Sequence, residues 1–155
     1  MSAIDNMNTK PVKEILTNVR ERFSNRTNWQ TNSLSNHRGC MCLLGGMSVA
    51  EGIVTADDYI KHYNGEADSL TIGEFPNQAA IYKAMADSRA LQFLMDDIAT
   101  ENENIALAIE ADKDGLHYVD AAWTFNDGHD RPGERDKGKS YNRVLAALDR
   151  AIERA

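Results

Sequence analysis

Four residues could by type do chemistry together: Cys42, His117, Asn126 and Asp127. A thiol at the start of a helix meets unpaired backbone N–H groups and the positive end of the dipole. Both favour the thiolate and lower its pKa. A nucleophile also needs a base and an orienting group. In chain order His117 would be the base and Asn126 or Asp127 the orienter of a cysteine-dependent hydrolase or transferase. The plain alternative is packing. Buried cysteines often act as small apolar residues, and no cysteine-hydrolase signature surrounds Cys42.

Residues 39–47, Gly-Cys-Met-Cys-Leu-Leu-Gly-Gly-Met, hold both cysteines and the only Gly-Gly pair. On a helix, Cys40 shares a face with Leu43, Leu44 and Met47, an ordinary core stripe. Cys42 shares the other face with Gly45 and Gly46, which is nearly bare of side chains. Such a face admits either a ligand or a close-packed neighbour, for example Ala147 or Ala151 of the last helix. The stretch lacks the Lys-Ser/Thr ending of a phosphate loop and the dinucleotide-binding glycine spacing. His37, Cys40 and Cys42 lack a second ligand pair of the zinc type, so no metal site is assigned, and no cofactor is implied. Trp29 and Gln30 stand in a polar loop, residues 24–38, longer than compact domains usually carry without a function. Asn126 and Asp127 follow the apolar Trp123 and Phe125, so they are expected to be partly buried and in need of partners. The plain alternative for Asn126-Asp127-Gly128 is a loop turn bonding its own backbone, and for His129 and Asp130 that loop reading is the stronger one. The candidate binding residues are therefore Trp29, Gln30, Cys42, Gly45, Gly46, Asn126 and Asp127.

These residues must be positioned by helices. Val12, Ile15, Leu16, Val19 and Phe23 recur at helical steps, with Pro11 tolerated in the first turn. Thr55 and Asp58 form a capping-box pattern ahead of Tyr59, Ile60 and Tyr63, and Gly65 ends that helix. Asn77 caps a long helix with Ile81, Met85, Leu91, Met95 and Ile98 on one stripe, broken or kinked at Asp87-Ser88-Arg89. A shorter helix runs through Ile105 and Ile109. Residues 116–125 fit both an alternating strand and a helix turn; a strand would need a partner, for instance around Leu70 to Phe75. Ser140 caps a last helix striped by Tyr141, Val144, Leu145, Leu148 and Ile152. The expected fold is mostly α, about five helices in one compact domain over residues 9–155, with room for a minor two-strand element. Residues 1–8 read as a flexible leader.

The 155 residues suit one domain with a core that needs no staples. A net charge of −7 opposes general nucleic-acid binding. The N-terminus lacks a signal-peptide pattern and no segment reaches the apolar length of a membrane span. Two cysteines one residue apart do not bridge easily, and free thiols fit a reducing compartment, so a cytoplasmic location is expected.

Trp29-Gln30, Cys42-Leu43-Leu44-Gly45-Gly46, Phe125-Asn126-Asp127 and the closing Val144-Leu145 through Leu148-Asp149-Arg150-Ala151-Ile152 together resemble the family catalogued as domain of unknown function 6197. Its members are small actinobacterial and phage proteins, and the likeness spans the chain from first helix to last. The family usually has Ala where Gly46 stands and a shorter link than residues 128–139. The resemblance implies no reaction. It suggests a protein of accessory kind, and the residues themselves point to one that binds a small molecule or a protein partner through the Trp29 loop, the Cys42 helix start and the Asn126-Asp127 turn. Its location would be the host cytoplasm if it is phage-encoded. The alternatives are the Cys42 enzyme and a structural virion or assembly component, for which a homo-oligomer would speak.

Overall fold

The computed structural model describes residues 7–65, 78–111, 117–131 and 137–155. Among them are eight α-helices and no strand. They are α1 (Val12–Phe23), α2 (Leu43–Ala50), α3 (Ala56–Tyr63), α4 (Gln78–Ala86), α5 (Arg89–Ala99), α6 (Glu103–Glu110), α7 (His117–Asn126) and α8 (Lys137–Arg154). The expected all-α class holds, while five helices was too few. The break expected at Asp87-Ser88-Arg89 is there, and it divides this stretch into α4 and α5. Ser88 leaves the helical conformation and its Oγ accepts the Leu91 N–H, so it starts α5 as an N-cap.

Two helices are apolar on more than one side because neighbours cover them on more than one side. α7 packs on α2, α4, α5, α6 and α8. Val119, Ala121, Ala122 and Phe125 are all buried on it. Burial on several faces imitates the alternation of a strand, which resolves residues 117–125 as helix. The strand partner expected near Leu70 to Phe75 lies outside the described residues. Among the described residues the only ladder-like pairings are isolated bridges from Met41 to Trp29 and to Ser35. α2 is likewise buried from Leu43 through Ser48.

Around this centre α1 packs against α2, α5 and α8, with Ile15, Leu16, Val19 and Phe23 inward as their spacing predicts. The capping box at Thr55 and Asp58 forms as expected. Ser140 does not cap α8, which begins at Lys137 and carries Ser140 buried within its first turns. Of the expected 1–8 leader, Met7 packs on the core and Asn8 is hydrogen-bonded to the body, while residues 1–6 lie outside the described residues. No helix among the described residues is long and apolar enough to cross a membrane.

Candidate functional site

Asn126, the last residue of α7, is 1% exposed and joins three parts of the chain. Its Oδ1 accepts from the Trp29 indole Nε1–H at 2.8 Å and from the Leu43 backbone N–H at 3.0 Å. Its Nδ2 donates to the Gln30 carbonyl at 3.1 Å and to Asp127 Oδ1 at 3.0 Å. Two acceptor sites and two donors are all used, so the amide is saturated. Asp127 Oδ1 also accepts the Asn32 N–H at 3.2 Å. The expectation that this pair needs partners is correct, and the partners are the polar loop and the start of α2.

The loop is fixed from within as well. Gln30 N–H donates to Met41 O, and Met41 N–H donates to Asn28 O. Asn36 Oδ1 accepts from the N–H groups of Arg38 and Cys40, and its Nδ2 donates to Gln30 Oε1. Trp29 is 3% exposed, with the Tyr141 ring 5.7 Å from its own and the Arg26 guanidinium 5.0 Å from its centroid. Asn36 went unnoticed in the sequence. An Asn three residues before a turn glycine, here Gly39 at φ +81°, is the signal that could have found it.

Cys42 caps α2, and its Sγ accepts the Gly45 N–H at 3.4 Å. The thiol is wholly buried, and burial pushes its pKa from 9.0 up to about 12. The backbone N–H groups of Gly45 and Leu44 pull it down, as the helix-start argument requires, but desolvation outweighs them and the charge of Asp127 adds to the rise. The direction is opposite to that of an activated nucleophile. His117 opens the helix that Asn126 closes, so about 13.5 Å of helix axis separates the two. The structure thus brings Cys42, Asn126 and Asp127 together and leaves His117 at the far end of α7. Cys40 is half-buried and donates to the Thr27 carbonyl, rather than joining the leucine core as expected.

The bare face beside Cys42 is filled. A Cβ on Gly45 would stand 2.0 Å from the Leu34 carbonyl oxygen, and one on Gly46 would stand 2.8 Å from Phe23 Cζ. The expected packing seam exists, but the loop and α1 form it, not Ala147 or Ala151 of α8. Behind α2, Ser48 Oγ donates to the Gly45 carbonyl and shares a 2.7 Å hydrogen bond with Tyr59.

The other side of the same turn is built on Asp130, which is 3% exposed. Its carboxylate accepts from Asn102 Nδ2 and from both terminal nitrogens of Arg143, a bidentate pair. Arg143 also lies 4.6 Å over the Phe125 ring. The loop reading expected of Asp130 misses this pair. Beyond it a cavity of about 210 Å³ opens between α5 and α8, with Ile98, Phe125 and Ala147 among its apolar walls and Glu101 and Arg150 paired at its edge. No group of three or more His, Cys, Asp or Glu able to hold a metal occurs among the described residues.

The residues that converge on Asn126 are those of the short motifs seen in the sequence. The profile of the family of unknown function DUF6197 matches residues 7–154. The chain belongs to this family. No curated protein and no solved structure matches it. In this DUF6197 chain, Trp29-Gln30, Cys42-Leu43 and Asn126-Asp127 form one buried hydrogen-bonded junction.

Proposed function

We propose that this DUF6197 chain is a non-catalytic accessory protein that recognises an acidic segment of a protein partner through the outer face of its 24–39 loop. The observation that carries the reading is the saturated Asn126 amide. It holds a long irregular loop in one conformation, which lowers the ordering cost that binding would otherwise meet. Buried Trp29, the Cys42 helix start and the Asn126-Asp127 turn support this surface from beneath, and the exposed side chains of the loop make the contact.

The chemistry of the loop selects the partner. Between Arg22 and Glu51 the chain has no acidic residue, although its net charge is −7. Arg26 and Arg38 are exposed there, among the side chains of Asn25, Thr27 and Asn32. Opposite charge speeds encounter and rejects wrong partners, and the amides and hydroxyls supply directional bonds.

Retention on immobilised polyglutamate at low salt tests this, with double-stranded DNA as a second polyanion. The wild-type chain is expected to be retained on polyglutamate, and Arg38→Glu to elute at lower salt with its fold unchanged. Equal elution of the two proteins, or stronger retention on DNA, overturns the reading.

A further inference from the structure

Asn8 sits at φ 68°, a left-handed conformation that asparagine tolerates better than most residues. Its contacts reach across the fold. Its N–H donates to Glu51 Oε2 at 3.3 Å, and its Nδ2 donates to the Asp87 carbonyl at 3.2 Å. Its Oδ1 accepts the Arg89 N–H at 3.1 Å, and its carbonyl accepts from the Arg89 guanidinium. Lys10 Nζ reaches the Ala50 carbonyl at 3.5 Å. A residue near the start of the chain therefore caps the first N–H of α5, while Ser88 caps the third. Beneath Asn8, Glu51 is only 5% exposed, and its other oxygen accepts from Ser88 Oγ at 2.7 Å.

We infer that residues 7–10 form a releasable strap that closes a notch between the end of α2 and the α4–α5 junction. The notch offers the Glu51 carboxylate, the Asp87 and Ala50 carbonyls and one helix N–H. That set matches an asparagine followed by a cation, which this chain supplies as Asn8 and Lys10. Release follows from where the bonds lie. The contacts to Asp87 and Arg89 are at the surface, Thr9 and Lys10 are exposed, and Met7 is the main apolar anchor. Segments with few buried apolar contacts and exposed hydrogen bonds open independently of the core. Opening would uncover a carboxylate that the folded body otherwise buries, and any segment of the same chemistry could then compete for the notch.

Amide hydrogen exchange on the full chain tests the strap. Asn8→Gly keeps the positive φ accessible and removes only the side chain. The Arg89 amide is expected to exchange about tenfold faster in that variant, while amides in α1 and α8 keep their rates. In the wild-type chain, exchange at Arg89 under rising sub-denaturing urea should show a much weaker urea dependence than exchange at Val19 or Leu148. An Arg89 rate unchanged by Asn8→Gly overturns the inference. So does an Arg89 amide that opens with the same urea dependence as the core, because Asn8 would then belong to the globally cooperative unit.

Discussion

Truncating one buried amide, Asn126→Ala, should unfasten three elements at once. The change leaves the Trp29 indole N–H and the Leu43 N–H as buried donors without acceptors, and it strips one partner from the Gln30 carbonyl. Each buried polar group left unsatisfied costs about 1–3 kcal/mol. With Trp29 at 3% exposure and Leu43 at 0%, water has little access, so a total on the order of 3–5 kcal/mol is expected. That is a large share of the roughly 5–15 kcal/mol that holds a domain folded, and corresponds to a fall in Tm on the order of 10 °C. Urea unfolding followed by far-UV circular dichroism reads the loss as a lower midpoint with an unchanged slope. Trp29→Phe removes one of the donors, so the double variant should lose about 1 kcal/mol less than the sum of the two single variants. A loss below about 1 kcal/mol for Asn126→Ala, or strict additivity in the cycle, would refute the view that this amide locks the loop.

Further outcomes follow from the same junction. With its thiol pushed up to about 12, Cys42 should resist iodoacetamide at pH 8 in the folded chain and react only on unfolding, while the half-buried Cys40 reacts first; peptide mass spectrometry reads both, and alkylation of Cys42 at the rate of an unfolded control would show that its burial does not protect it. The folded thiol keeps its proton where the unfolded one loses it, so its contribution to stability is full below pH 9 and declines as pH rises from 9 to about 12, seen as a falling urea midpoint. Gly45→Ala drives a Cβ into a backbone carbonyl and should cost about 3 kcal/mol or more. Gly46→Ala meets only the tip of the Phe23 ring and gains about 1 kcal/mol of helix propensity, so its net cost by urea unfolding should be clearly smaller.

The sequence carried the helices that have one wet face. α1 and α8 show their stripes because solvent lies opposite the core, and the capping box of α3 is a local pattern complete within four residues. It left open a helix that protein covers on several sides. α7 reads as strand or helix because its apolar residues face five neighbours, information that lies in other parts of the chain. Asn126 and Asp127 could be suspected from polar residues following an apolar run. The loop around Trp29 and the helix start at Cys42 could be suspected as their partners, but the particular bonds to Trp29 and Leu43 could not, since nothing local to residue 126 encodes a bond to residue 29. For Cys42 the helix-start effect is local and visible, whereas the burial that outweighs it and favours the packing reading comes from the tertiary fold. Asp130 looked like a loop acid because Arg143 and Asn102 lie in other elements.

The junction also imposes an order on how the chain can mature. The bonds from Asn126 to Trp29, Gln30 and Leu43 span 97, 96 and 83 residues of sequence. During synthesis, α1 through α6 are made before their lock exists, and until α7 has left the ribosome the 24–39 loop has only its own internal bonds to hold it. A ribosome paused within residues 112–116 would therefore display the loop's arginines in an unlocked form.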